Sequence, residues 1–333
     1  MDISRSTRDD PDVVPPRPAA TIMVVRDAPG DNPGARPDGL EVLMVRRNLR
    51  SDFVGGAYVF PGGALDPSDY SESLADVCPG RRDRDASSLL GIDAGGLAYW
   101  VAVLRECFEE AGVLLAYSSD SFVNTTTQAT QATQDRDGAI RSFDDRSLIS
   151  FADPKRHAHF QQLRAALNSK EKSFLQLCVD ERLSLAVERV FYFAHWITPE
   201  GAPRRYDTRF FVARAPAGQS PANDAGETID EVWIAPSDAL RRHNEGQMEL
   251  IFPTIRNLQA ISRFKSCDEL MGAAAAAEGS VPVVEPRVLL DGNGVRIVLP
   301  GDPGYDDTNN ARPPSDPTVF NEAVRKISRE NNE

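Results

Sequence analysis

The sequence predicts an α/β fold on three observations. Short β-rich runs at 21–26, 41–47 and 57–60 open the chain, and a stretch from Leu97 then places apolar residues at helical spacing. After it, helical patterns alternate with strand-like runs at 190–197, 209–214 and around 231–234. With 333 residues, 41% apolar and 26% charged, the chain can bury the core of one large domain or two ordinary ones.

Taken in order, residues 1–18 carry Asp2, Asp9, Asp10 and several prolines, which suits a disordered arm. The runs at 21–26 and 41–47 read as strands joined by a loose Pro/Gly/Asp loop. A short strand at 57–60 stops at Pro61, Gly62 and Gly63, where proline cannot donate to a ladder and glycines permit unusual backbone angles. Residues 64–96 are polar and show little apolar pattern, so they read as an insertion bordering a cleft and adding little to the core.

From there Leu97, Val101, Leu104, Phe108, Ala111 and Leu115 follow spacings of three and four, giving one apolar stripe. Glu106, Glu109 and Glu110 fall on the other side of that helix. A second insertion spans about 116–185: a polar low-complexity loop at 118–145, a helix around Phe160, Leu163 and Leu167, and another at 173–185. Closing helices are expected at 237–243, with Ser237 as cap, and at 255–263. These bounds divide the chain into the arm, a domain at 19–270, a linker and β-hairpin at 271–305, and a polar tail at 306–333. The hairpin runs flank Asp291, Gly292, Asn293 and Gly294. In the tail Phe320, Val324 and Ile327 suit one amphipathic helix.

Fifty acidic and 37 basic residues give a net charge of −13, which disfavours nucleic acid and anionic membranes as partners. A small polyanion stays compatible, because a local metal or arginine cluster outweighs a distant field. Cys78, Cys107, Cys178 and Cys267 form no CxxC pair and read as reduced thiols of a cytoplasmic protein. The N-terminus lacks the basic start and apolar core of a signal peptide, no run approaches a membrane span, and Asn331-Asn332-Glu333 carries no peroxisomal address. His157, His159, His195 and His243 lack metal-ligand spacing and read as structural or surface residues.

The chemistry concentrates in Arg105-Glu106-Cys107-Phe108-Glu109-Glu110-Ala111-Gly112-Val113. Glu106 and Glu110 stand one turn apart, about 6 Å along a helix, where like charges repel by a few tenths of a kcal/mol. A divalent cation between them turns repulsion into coordination, and oxygen-only ligands suit Mg²⁺ or Mn²⁺. Arg105 can pair with Glu109 at i,i+4. An exposed acidic helix face would carry the same charges.

Together with Phe60-Pro61-Gly62-Gly63 upstream, this string resembles the signature of the Nudix hydrolase family: Gly, five residues, Glu, seven residues, then Arg-Glu-aliphatic-x-Glu-Glu-x-Gly-aliphatic. The second half matches from Arg105 to Val113, with Cys107 in the first aliphatic position. In the first half Asp69 stands six positions after Gly63 where the family has Glu, and 41 residues separate Gly63 from Arg105. An insertion at that point marks a subgroup similar to the peroxisomal coenzyme A diphosphatase of animals. Trp196-Ile197-Thr198-Pro199, the run from Pro203 to Phe211, and Phe252-Pro253-Thr254 look like that subgroup too.

The resemblance implies an α/β/α sandwich with a mixed sheet, and hydrolysis of a pyrophosphate bond in a nucleoside-diphosphate-linked small molecule. It makes Glu106 and Glu110 the principal metal ligands, Glu109 an assistant and Arg105 an orienting group, with Mg²⁺ or Mn²⁺ as cofactor. Gly62 and Gly63 shape the loop against the helix. Arg204 and Arg205 are candidate phosphate grips, and Arg46, Arg47 and Arg50 candidates for the substrate entrance. Asp69, Glu227 and Glu231 are accessory candidates, the last two as further metal-facing or base carboxylates or as solvated loop charges.

Coenzyme A or an acyl-CoA leads as substrate, ahead of ADP-ribose, a nucleotide sugar or a dinucleotide. Another CoA-cleaving subgroup has an upstream pattern that Gly56 and Arg47 match and Val45, Asn48 and Asp52 do not. A non-catalytic nucleotide-binding module or a scaffold are the rivals, and a homodimer is an open expectation.

Overall fold

A computed structural model describes residues 14–29, 39–49, 55–118, 148–224, 226–291 and 294–306. The chain divides into a larger unit, Ala19–Ala194 with Arg209–Val281, and a smaller one, Met1–Pro18, His195–Thr208 and Pro282–Glu333.

The larger unit is built on a mixed sheet. Strands β1 (Arg17–Asp27) and β2 (Leu40–Arg47) pair antiparallel, Val25 opposite Val42. Leu40 to Val45 are all buried, as an unbroken apolar run in a doubly covered strand should be. The short β3 (Tyr58–Val59) adds to β2. Pro61-Gly62-Gly63 does more than end a strand: β4 (Gly62–Ala64) pairs antiparallel with β1, Gly63 opposite Ala20. A Cβ on Gly62 would stand 2.5 Å from Ala20 O, so only glycine lets the two backbones approach this closely.

The insertion at 64–96 corrects the sequence expectation. It folds as two 3₁₀ turns, Pro67–Tyr70 and Glu72–Val77, and helix α1 (Asp83–Leu90), and it buries Leu74, Val77, Cys78, Ala86 and Leu90 in the main core. Its apolar residues are few but inward-facing, and short turns carry no extended periodicity for a sequence to display.

Helix α2 (Leu97–Ala111) follows, ending where Gly112 takes φ +67°. Every residue of α2 except Glu106 and Glu109 is buried. One stripe facing the core was therefore too narrow a reading, since both insertions cover the other sides. Strand β5 (Ala116–Ser118) leads out of α2. Helix α3 (Pro154–Asn168), capped by Asp153, packs on α2 through an edge-to-face contact of Phe108 with Phe160. Helix α4 (Phe174–Asp180) stops short of the expected Leu185: Arg182 adopts φ +51°, and β6 (Leu183–Leu185) turns back to pair with β5.

Strands β7 (Phe191–Ile197) and β8 (Tyr206–Arg214) extend the sheet beyond β1, and β9 (Thr228–Ile234) pairs with the far side of β2. Helix α5 (Pro236–Asn244) begins with Pro236 after Ala235, so Ser237 lies inside it and is not the cap. Helix α6 (Phe252–Ile261) and helix α7 (Cys267–Ala277) complete the unit, and α7 runs through the boundary expected at 270. All four cysteines are buried and unbridged.

In the smaller unit β10 (Val283–Val284) pairs parallel with the end of β7, and the expected hairpin forms from β11 (Arg287–Asp291) and β12 (Gly294–Val298). Ala202 and Val288 bury one another there. The expectations for most of the arm (1–13), for Arg50 and Asp52, for the loop at 119–147 and for the tail from 307 lie outside the described residues.

Candidate active site

The last two turns of α2 carry the charged cluster. Arg105 is 8% exposed and uses its whole guanidinium. Nε and Nη2 donate bidentately to Asp69 at 2.9 and 2.8 Å, and Nη1 donates to Glu106 at 2.8 Å and Glu109 at 2.9 Å. Burial works against this charge, but the Asp69 bonds and the charges of Glu106 and Glu109 outweigh it and hold the Arg105 pKa above its ordinary value.

Asp69 reaches the helix because its 3₁₀ turn is locked by a reciprocal cap: Asp66 accepts from Ser68 N and Asp69 accepts from Asp66 N, each at 2.8 Å. Asp69 thus meets Arg105 although 35 residues lie between them in sequence.

Glu110, 5% exposed, accepts from Gly62 N at 3.0 Å. Burial, then the neighbouring Glu106 charge, pushes its carboxyl well above the usual range. Glu106 is pushed up to about 7, chiefly by burial and against the pull of Arg105. Glu109 is raised for the same first reason. Gly63 faces this group so closely that a Cβ would stand 2.5 Å from Glu106 Oε1.

The accessory candidates separate. Glu227 is exposed and meets Arg47 at 3.3 Å, and its charge raises the pKa of Glu106, Glu109 and Glu110 alike. Arg47 lowers that of Glu110, so both belong to the cluster's surroundings. Glu231 is held instead by Asn223, whose N and Nδ2 donate to it at 3.0 and 2.6 Å. Arg46 donates to Gly56 O at 3.2 Å and lies over the Tyr58 ring.

Arg204 and Arg205 belong to the smaller unit. Arg204 is exposed, whereas Arg205 is buried and donates to Thr198 O, Val14 O and Glu285, which occupies the donors a phosphate would need.

Several residues at the site gave no signal in the sequence. Thr228 Oγ1 donates to Glu110 O at 3.1 Å. Asp224 accepts from the N–H groups of Gly226, Glu227 and Thr228, which hold its carboxyl below the usual range although burial alone would raise it. Arg164 and Asn168 of α3 donate to Glu109 O at 2.9 and 3.3 Å.

The donor set fits a hard divalent cation. Among the described residues no three acidic, histidine or cysteine groups converge into a cage. Mg²⁺, however, usually takes one or two carboxylates and completes its shell with water and substrate phosphates. Half-buried Glu106 and buried Glu110, both with raised pKa values, offer those two and gain relief of their repulsion.

Comparison with known proteins agrees with this geometry. The model of the NUDT19 Nudix domain matches residues 81–261, more than half of the chain. The chain is 26% identical over 323 residues to the acyl-coenzyme A diphosphatase NUDT19 of Gallus gallus, covering 87% of this chain and 79% of that one. Its Homo sapiens counterpart is 26% identical over 306 residues, with 82% and 75% covered, and that of Xenopus laevis 23% over 311, with 85% and 73% covered. A crystal structure of a Nudix hydrolase from Alicyclobacillus acidocaldarius shares the fold at a TM-score of 0.52 and 26% identity, covering 78% of this chain and 96% of that one. Among the described residues no helix is long and apolar enough to cross a membrane. An α/β chain with a mixed sheet and this helix, matched along more than half its length by that model, belongs to the NUDT19 Nudix domain family and is a Nudix pyrophosphohydrolase.

Proposed function

We propose that the chain hydrolyses the diphosphate of coenzyme A or an acyl-CoA, giving 3′,5′-ADP and a phosphopantetheine product, with Mg²⁺ or Mn²⁺ held by Glu106 and Glu110 and assisted by Glu109. The observation that carries the reading is the pair of half-buried Glu106 and buried Glu110, braced by Arg105 and by Gly62 N. The relatives' names supply the substrate class.

A divalent cation bound there supplies charge neutralisation to the diphosphate oxygens and the leaving phosphate. Arg105 keeps the Glu106 and Glu109 carboxylates aimed, and Asp69 keeps Arg105 in place. Arg47 brings a cation to the entrance and attracts the anionic substrate. Glu227, exposed beside the cluster, takes a proton from the attacking water as its oxygen bonds to phosphorus. The anhydride P–O bond breaks, and its electron pair leaves with the departing phosphate.

The test measures kcat/KM with coenzyme A, dephospho-CoA and ADP-ribose, in Mg²⁺ and in Mn²⁺, with products identified by chromatography. Preference for coenzyme A, and loss of most turnover in Glu106→Gln and Glu110→Gln with the fold intact, are the expected results. Preference for dephospho-CoA or ADP-ribose would show that no 3′-phosphate pocket exists, and wild-type turnover in either variant would remove the metal assignment.

A further inference from the structure

The C-terminus of α2 is closed by groups from elsewhere in the chain. Of its last carbonyls, Phe108 O accepts from Gly112 N at 3.0 Å, Glu110 O from Thr228 Oγ1 at 3.1 Å and Ala111 O from Ala222 N at 3.0 Å. Glu109 O, on the residue just before Glu110, is taken by Arg164 Nε at 2.9 Å and Asn168 Nδ2 at 3.3 Å. Arg164 does not stop there. Its Nη1 donates to Ala222 O at 2.7 Å and Asn223 O at 3.5 Å, on the stretch that leads to Asp224, Glu227 and Thr228.

We propose that Arg164 is a positioning residue for the hydrolysis, a tie that fixes the last turn of α2, with Glu106, Glu109 and Glu110, relative to the stretch carrying Glu227. The proposal rests on the role given above to those four carboxylates.

Three observations favour positioning over bulk stability. Arg164 is 4% exposed, and its partners among the described residues are all main-chain carbonyls. Nη2 is buried with no partner among them. A guanidinium desolvated in this way, without a carboxylate bonded to it, stabilises a core less than an apolar side chain of the same volume would. What it adds is a planar fork whose two arms fix two carbonyls from separate segments at a set spacing. The charge also sits at the negative end of the α2 dipole. Finally, the fork has been given room: a Cβ on Gly112, which already needs its φ of +67°, would stand 3.1 Å from Arg164 Nη1.

The experiment uses the full chain as wild type, Arg164→Met, Arg164→Lys and, as control, Leu167→Ala, which removes buried packing from the same helix. Amide exchange is followed first, without substrate or metal. In Arg164→Met the peptides covering 109–113 and 222–228 should speed up together, by about tenfold, while Leu167→Ala leaves both near wild type. Steady-state kinetics follow with whichever diphosphate the wild type turns over. Arg164→Met should lose about 10- to 100-fold in kcat with KM nearly unchanged, and Leu167→Ala should keep its kcat below its melting temperature. Arg164→Lys, able to reach only one of the two segments, should keep its charge yet fall short of wild-type kcat, as Arg164→Met does. Equal exchange in Arg164→Met and Leu167→Ala, or wild-type kcat in Arg164→Met, would overturn the proposal. A wild type that turns over no diphosphate defeats the functional reading instead, and the exchange data alone then decide whether the tie exists.

Discussion

Gly62 and Gly63 are neighbours in sequence, yet their missing side chains serve different ends. At Gly62 a Cβ would meet main chain, Ala20 O and Thr21 Cα, which cannot yield without parting β4 from β1. At Gly63 it would meet only the carboxylate of Glu106, the far end of a flexible side chain. Gly62→Ala should therefore lose about 1–3 kcal/mol of stability. Gly63→Ala should melt close to wild type but lose about 100-fold in kcat, because the carboxylate proposed to hold the metal has been moved. Thermal melts beside turnover measurements separate the two, and equal melting temperatures for both variants would contradict the distinction. Asp69 gives a second contrast. Asn keeps its shape but not its charge, leaving Arg105 with one good acceptor where it had two charge-assisted bonds. Asp69→Asn should cost about 2 kcal/mol in denaturant titration, and an unchanged midpoint would mean that Glu106 and Glu109 alone suffice to hold the guanidinium.

Helix α2 begins as it ends, on groups from distant sequence. Asp83, the first residue of α1, accepts from Leu97 N at 2.9 Å and Gly95 N at 3.0 Å, while Ser87 Oγ accepts from Gly96 N at 2.9 Å. Asp83→Ala should lower stability by about 1–2 kcal/mol, the usual worth of a helix cap. A circular-dichroism melt at wild-type temperature would deny Asp83 that role. These contacts also show what a sequence can disclose. The run from Arg105 to Val113 was legible because three carboxylates and an arginine at helical spacing stand out in a sequence. Asp69 was legible as an acid at the signature's spacing from Gly63, one methylene shorter than the family's Glu, but its bond to Arg105 across the intervening residues was not. Asp83, Arg164, Asn168 and Thr228 were not, because they bond to main-chain N–H and C=O groups. Every residue offers the same ones, so no complementary pattern appears at the partner position. The core contribution of 64–96 was hidden for a related reason: 3₁₀ turns and one eight-residue helix are too short to show a period.

Across the whole molecule the buried carboxylates set a pH dependence. A carboxyl whose pKa is higher folded than unfolded keeps a proton that the unfolded chain has released, so stability falls as pH rises between the two values. Glu106 goes from an ordinary 4.5 to about 7, and Glu110 is raised as well. With a chelator present, the melting temperature should therefore decline from about pH 5 to beyond pH 7, and Glu110→Gln should flatten that decline. Asp66 and Asp224, both lowered from 3.8, act in the opposite sense and only at more acidic pH. A chelated enzyme whose melting temperature climbs through neutrality would show that the pair is ionised when empty. The segments 64–96 and 116–185 bear on how such enzymes can be recombined. Asp83 and Asp69 reach α2 from the first segment, and Arg164 and Asn168 from the second. A chimera that trades either segment for its counterpart in another Nudix protein would exchange a helix terminus along with a surface. Crossover points placed at the ends of α2 would sever it from its own fastenings, so a transplantable cassette has to begin before Gly62 and run past Thr228.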